Sequence, residues 1–335
     1  VADYAVLGAG SWGTALALVL ARNGHAVRLW AHDPDTVRAM ADTRRNPRHL
    51  GDHPLPAAIR PTVSLSAAVD GADTVLIAVP SHAFAATVQT LAPVITTGTP
   101  VMWATKGLDN ANGGLLHDVA AAALPDRPLA ALSGPSFAGE VAAGLPTAVV
   151  LAGRDRAVTE RLCDDFHDPR FRVYRSDDRI GVGLGGAVKN ILAIATGIAD
   201  GLGFGANARS GLVTRGLAEV RRLGAALGAD DRTLTGLAGL GDLMLTCTDD
   251  QSRNRRMGLA LGRGESIDAA TARIGEVVEG VRTAVEVGGM ARRLGVELPI
   301  CSAVESVVGG TCTPIDAATA LMARRPGPEF DDLGT

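Results

Sequence analysis

The stretch Gly8-Ala9-Gly10-Ser11-Trp12-Gly13 constrains this chain more than any other. It follows a short apolar run, Tyr4–Leu7, and opens a helical pattern, Thr14–Asn23. In that setting each glycine has a task. Gly8 permits the tight turn, Gly10 lets the backbone come close to a pyrophosphate, and Gly13 lets helix and strand pack closely. The helix N-terminus then offers N–H groups and a positive dipole end to the phosphates. Gly24 stops the helix and a second apolar run, Ala26–Trp30, begins. A glycine turn with a purely structural purpose is the alternative; the strand before and the helix after argue against it.

The rest of the first half repeats this alternation. Tyr4–Leu7, Ala26–Trp30, Thr74–Val79, Val101–Ala104, Leu129–Leu132 and Ala148–Leu151 read as buried strands, with helical patterns such as Phe84–Leu91 between them. Strands alternating with helices imply an α/β fold, a Rossmann-type doubly wound parallel sheet covered on both faces. Beyond about residue 180 the pattern becomes all-helical, at roughly 182–200, 211–227, 253–262, 280–294 and 300–308. The expected organisation is therefore a dinucleotide-binding domain at 1–178, a helical substrate-binding and catalytic domain at 179–325, and a disordered tail at 326–335.

Composition narrows the function classes. The chain has 335 residues, 47% of them hydrophobic, which is ample for a core. A net charge of −4 with both signs interspersed, and no basic tract denser than Arg253, Arg255 and Arg256, excludes a nucleic-acid binder. The four cysteines, Cys163, Cys247, Cys301 and Cys312, have neither metal-ligand nor disulfide-framework spacing, so no metal is expected and a reduced cytoplasm is the simplest setting. No secretory leader is evident at the start, and Gly, Lys or Asp interrupts each long apolar stretch, so no membrane span is expected.

An acid at the tip of the second strand would bind a ribose 2′-OH and repel a 2′-phosphate. Here the tip reads Trp30-Ala31-His32-Asp33, with the acid slightly late. This leans toward NADP, with NAD accepted as well, unless His32 and Asp33 are merely loop residues. Lysine is almost absent, which makes two lysines stand out. Lys106, in Trp103-Ala104-Thr105-Lys106-Gly107, lies just past the C-terminal end of a strand, where open α/β sheets bind ligands. Lys189 lies inside an apolar helix, on one face with Ala193, Thr196 and Asp200, beside Gly185 and Gly186. Such a lysine can serve as a proton donor; a solvated lysine on an amphipathic helix is the alternative. Asp242, in Leu240-Gly241-Asp242-Leu243, needs a partner if buried, and Lys189 is the natural one, unless Asp242 only caps a turn. Ser252 reads as a helix N-cap, which puts Arg253 and Asn254 in a first turn. There the dipole disfavours a cation unless an anion is bound, and a phosphate would resolve the conflict; a solvated basic turn is the other reading.

Taken together, the segments GAGSWGTALA, VPSH, WATKGL, SGPSFAGE, GGAVKNILAI, GFGANARS, GLAGLGDLMLTCT, SRNRR and VVEG run in order along nearly the whole chain. The sequence resembles the bacterial NAD(P)-dependent glycerol-3-phosphate dehydrogenases. The resemblance implies catalysis by Lys189 with Lys106 and Asp242. It implies substrate contacts from Lys106, Gly134, Ser136, Lys189, Asp242, Ser252, Arg253 and Asn254. It implies a cofactor, NAD or NADP, lined by Gly8, Gly10, Ser11, Trp12, Gly13, His32, Lys106, Ala138, Arg253, Val277 and Glu279. The small phosphorylated substrate would be dihydroxyacetone phosphate, the product sn-glycerol 3-phosphate for phospholipid synthesis, and the enzyme a homodimer. Ser136 and Trp12 stand where relatives often have Thr and Tyr or Phe, both mild changes. Two competing readings are a β-hydroxyacid dehydrogenase of related architecture and a non-catalytic NAD(P)-binding sensor. The SRN segment speaks against the first, and the presence of Lys189, Lys106 and Asp242 against the second.

Overall fold

The computed structural model describes residues 1–325 together with Gly327 and Glu329; the tail expected to be disordered lies largely outside these described residues. The first part of the chain runs β1 (Asp3–Leu7), α1 (Ser11–Arg22), β2 (Ala26–Trp30), α2 (Pro34–Thr43), β3 (Ile59–Thr62), α3 (Leu65–Val69), β4 (Thr74–Ile77), α4 (Ser81–Leu91), β5 (Val101–Trp103), α5 (Leu116–Ala123), β6 (Leu129–Ser133), α6 (Ala138–Ala142), β7 (Thr147–Gly153), α7 (Arg156–Phe166) and β8 (Phe171–Ser176). Helices follow: α8 (Arg179–Gly201), α9 (Gly205–Leu227), α10 (Asp231–Leu234), a π-helical turn (Leu237–Gly241), α11 (Asp242–Thr248), α12 (Arg253–Gly262), α13 (Ile267–Ile274), α14 (Glu279–Leu294), α15 (Pro299–Val308) and α16 (Pro314–Met322).

The chain divides into two compact units. One comprises 1–106 and 116–179; the other comprises 107–115 and 180–335. The segment 107–115 therefore belongs with the helices, where two contiguous stretches were expected. It is a narrow loop in which Leu108 bridges Leu115 and the Asp109 N–H donates to the Gly114 carbonyl at 2.8 Å. Both leucines join the core of the helical unit.

The sheet unit is built on one eight-stranded sheet in the order β3-β2-β1-β4-β5-β6-β7-β8. Its central strands are largely apolar and buried, as strands covered on both faces are. Tyr4, Leu16, Leu20, Leu29, Leu76 and Phe166 are among the side chains fully buried there. The expected all-parallel sheet holds except at one place: β7 runs antiparallel to β6. The link between them, residues 134–146, holds only the short helix α6. β3 and β8, the two edges, are strands that the apolar-run criterion does not reveal.

In the helical unit, α8 is buried nearly all round rather than along one face. By length and composition alone it is long and apolar enough to cross a membrane, contrary to the expectation from sequence, since Gly185, Gly186 and Lys189 sit within a continuous helix. Here it is a core helix, and 94% of its apolar window is buried. Glycines decide what it packs against. Gly197 and Gly201 share a face of α8, Gly258 and Gly262 a face of α12, because residues four apart lie above one another. A Cβ at Gly197 would fall 2.9 Å from the Gly258 Cα, and one at Gly201 would fall 2.9 Å from the Gly262 Cα. The two backbones touch. α15 has no local side-chain cap; the buried Glu219 of α9 accepts from the Ile300 and Cys301 N–H groups at 2.6 and 3.0 Å instead.

Candidate active site

Two groups of predicted residues assemble, one in each unit. In the sheet unit, β1 ends in the glycine turn. Gly8 has φ +115°, and a Cβ there would lie 2.8 Å from the Ala78 backbone, so only glycine fits. Gly13 lies against the Gly8 carbonyl, where any side chain would collide. At Gly10 the situation is the opposite: nothing lies within 4 Å of where its Cβ would be. Gly10 is also the N-cap of α1, without a capping side chain and without an acid in the first turn. The positive end of α1 thus faces open space, as an anion cradle requires. Ser11 donates to the His49 carbonyl at 2.6 Å, and the buried Trp12 Nε1 has no acceptor among the described residues. Asn46, unremarked in the sequence, fastens this turn by donating to the Ala9 carbonyl at 2.8 Å and to Thr14 Oγ1 at 2.9 Å.

At the tip of β2, His32 is exposed. Asp33 is the N-cap of α2. Its carboxylate accepts from the Asp35 N–H and the Thr36 hydroxyl and pairs with Arg48 at 3.2 Å. The Thr36 hydrogen bond, the Asp35 N–H and the Arg48 charge hold its pKa below the ordinary carboxylate range. The late acid is therefore engaged in capping rather than standing at the strand tip.

Lys106 follows β5, and its Nζ donates to the Gly134 carbonyl at 2.9 Å. Ser136 Oγ donates to the same carbonyl at 3.0 Å. Gly134 itself has φ +145°, and a Cβ would fall 2.9 Å from the Val149 Cα. Lys106, which lies 28 residues before Gly134, thus forms one cluster with Gly134 and Ser136 beyond the ends of β5 and β6. Ala138 begins α6 two residues further on.

In the helical unit, Lys189 is only 8% exposed and Asp242 is fully buried. Lys189 Nζ donates to Asp242 Oδ1 at 2.5 Å and to Thr246 Oγ1 at 3.0 Å. A buried ammonium persists only with such partners. The lysine is thus neither solvated nor on an amphipathic face. The π turn delivers Asp242 as the first residue of α11, and Thr246 follows one turn later, its hydroxyl also donating to the Asp242 carbonyl at 2.6 Å. Thr246 escaped the sequence reading, although the i, i+4 spacing from Asp242 puts both on one face. A small cleft beside Lys189 is lined by Gly185, Leu217, Val220, Gly239 and Leu243.

Ser252 caps α12 as expected, accepting from the Arg255 N–H at 3.2 Å. Asn254 joins three helices: Oδ1 accepts from the Gly280 N–H at 2.8 Å, and Nδ2 donates to Asn190 Oδ1 at 2.9 Å, next to Lys189. Arg255 is buried between Asp200 at 2.6 Å and Asp250 at 2.8 Å, locking the start of α12. Arg253 is half-exposed and pairs with Glu276 at 2.6 Å. That pair brings the loop carrying Val277 and leading to Glu279 beside Arg253. Among the described residues no cluster of His, Cys, Asp or Glu could hold a metal ion.

Comparison with known proteins gives this arrangement its family. The model of the NAD-dependent glycerol-3-phosphate dehydrogenase N-terminus matches residues 3–159, and that of the C-terminus of the same family matches 178–319. The chain is 57% identical over 330 residues to the NAD(P)+ glycerol-3-phosphate dehydrogenase of Halorhodospira halophila, covering 98% of each. It is 53% identical over 329 residues to the enzyme of the same name from Stenotrophomonas maltophilia, covering 98% of this chain and 96% of the relative. Its structure is similar to the crystal structure of glycerol-3-phosphate dehydrogenase from Coxiella burnetii, with a TM-score of 0.94 at 48% identity over 96% of this chain and 99% of the other. A ketopantoate reductase from Ralstonia eutropha, at 20% identity and a TM-score of 0.60, shares the fold alone. With both family models matched and close relatives covering nearly its full length, this chain belongs to the NAD(P)-dependent glycerol-3-phosphate dehydrogenase family.

Proposed function

We propose that this chain reduces dihydroxyacetone phosphate reversibly to sn-glycerol 3-phosphate with NADPH or NADH, supplying the glycerol phosphate backbone of phospholipids. The observation that carries the proposal is the buried Lys189, held by Asp242 and Thr246 in the middle of an apolar helix. A nicotinamide dehydrogenase leaves the protein one proton to deliver and one carbonyl to polarise. The open space at Gly10, the uncapped start of α1 and the Trp12 Nε1, which has no partner among the described residues, suit a bound dinucleotide. When bound, the cofactor supplies the hydride that the ketone carbon accepts.

Lys189 donates the proton that the developing alkoxide needs. Asp242 and Thr246 fix the position of its ammonium. Lys106, anchored on the Gly134 carbonyl, polarises the carbonyl side of the substrate. Gly134 and Ser136 bind the substrate, and so do Ser252 and Asn254 at the head of α12. Arg253 holds the phosphate, because its planar fork can make two parallel bonds to phosphate oxygens. Gly8, Gly10, Ser11, Trp12 and Gly13 bind the dinucleotide, with His32, Ala138, Val277 and Glu279. With Asp33 occupied in capping α2, and His32 exposed at the strand tip, a 2′-phosphate meets no unengaged acid there, so both cofactors are accepted. On the same reading the enzyme acts in the reducing cytoplasm, consistent with four free cysteines, and as a homodimer, which rests on the family resemblance.

The test is an assay of NADPH oxidation with dihydroxyacetone phosphate. Lys189→Ala should lower turnover by at least about 100-fold, within the range of a general acid, while cofactor affinity stays near that of the parent. Arg253→Ala should reduce kcat/KM more for the phosphorylated ketone than for dihydroxyacetone. Near-normal turnover of Lys189→Ala would remove the proton donor from this reading.

A further inference from the structure

Arg253 is the first residue of α12, a place where the helix dipole disfavours a cation unless an anion lies close. The chain supplies that anion itself. Glu276 Oε2 stands 2.6 Å from Arg253 Nη1, with the two side chains 44% and 43% exposed. An ion pair this exposed is weak, so a better anion can open it. A monocarboxylate arriving at Arg253 only exchanges one carboxylate for another and gains little. A phosphate dianion brings more charge to the same guanidinium and the same helix end, and can engage both arms of the fork.

We propose that Glu276 is a specificity-determining residue: it occupies Arg253 as an internal counter-anion that a phosphate dianion displaces and a singly charged carboxylate does not. The proposal rests on the reading of Arg253 as the phosphate arm. Glu276 cannot leave the neighbourhood once displaced, because its loop is tied four residues on, where the Gly280 N–H donates to Asn254. It therefore repels whatever anion replaces it, and selectivity is gained at the expense of affinity.

The full-length enzyme with Glu276→Gln tests this. The KM for dihydroxyacetone phosphate should fall about two- to fivefold, the scale of one exposed ion pair, with little change in kcat. The inorganic phosphate concentration that half-maximally raises the Tm should fall in the same proportion, a readout independent of turnover. Acetate, used as the monoanionic probe, should inhibit Glu276→Gln more strongly than the parent. In an Arg253→Ala background, Glu276→Gln should change each of these by a clearly smaller factor. An unchanged or raised KM in Glu276→Gln overturns the proposal, as does an equal fall in KM in the Arg253→Ala background, which would mark a general charge effect. The underlying reading is judged separately. If Arg253→Ala alone costs dihydroxyacetone phosphate and dihydroxyacetone the same factor, Arg253 is not the phosphate arm, whatever Glu276 does.

Discussion

Glu286, in the middle of α14, shows how one side chain carries a cost that depends on pH. With the Asn110 amide turned to satisfy both neighbours, Glu286 Oε1 accepts from Asn110 at 2.9 Å, and Asn110 accepts from Arg282 at 2.9 Å. Burial dominates and raises the Glu286 pKa from 4.5 to about 7; Glu279 and Asp109 push the same way, and Arg282 opposes them. Folding therefore favours the protonated form. The stability this group contributes is full below about pH 4.5 and is lost as the pH rises through about 7. Glu286→Gln should remove that loss, so its Tm should fall less than that of the parent between those two values; parallel Tm profiles would exclude the effect. At this scale the sequence is most legible where a residue is out of place. Asp242 in an apolar stretch demanded a partner and has Lys189. Arg253 at a helix start demanded an anion, yet nothing in the sequence distinguished a bound phosphate from Glu276. Thr246 was silent because a hydroxyl in a helix is ordinary and usually bonds its own backbone.

Among the elements, α8 and α12 are held by contact between backbones. Any side chain at Gly258 would meet the Ile194 carbonyl as well as Gly197, and neither helix has slack, since α8 is enclosed along its length. Gly258→Ala should destabilise the protein by about 1–3 kcal/mol, as overpacking does, and should also raise the KM for the phosphorylated ketone by shifting the head of α12. Denaturant unfolding and steady-state kinetics check the two halves, and an unchanged stability would show that the helices can separate freely. The paired glycines were visible in the sequence at spacing four, but only the fold tells which helices they join. The same contrast runs through the sheet. Central strands were legible as apolar runs because they are covered on both faces. β3 contains Pro61 opposite Leu29, and β8 has a single buried residue, Phe171, among half-buried and exposed ones; both signs belong to edge strands, and both hide them from a search for apolar runs. The short α13 and α16 were missed although Ser266 and Thr313 cap them, because neither has the length for a clear apolar period.

Over the whole molecule, the change from alternating to helical pattern near residue 180 was plain in the sequence, but the excursion at 107–115 was not. It is too short to have a period of its own, and its leucines match those of either unit. In the helical unit it is fastened where Arg293 donates to the Asn112 carbonyl at 2.9 Å, as well as by Leu108 and Leu115 in the core. A fragment comprising 180–335 should therefore unfold less cooperatively than one in which 107–115 is fused ahead of it. The two buried leucines alone account for about 1.5–3 kcal/mol each. Equal unfolding curves for the two fragments would show the loop to be dispensable. The backbone passes between the units at 106–107, 115–116 and 179–180. For the gene, this means that a crossover at codon 180, the obvious seam, would deliver a helical half whose missing core residues are encoded far upstream. Recombination can exchange this half with its core complete only by carrying codons 107–115 along with it.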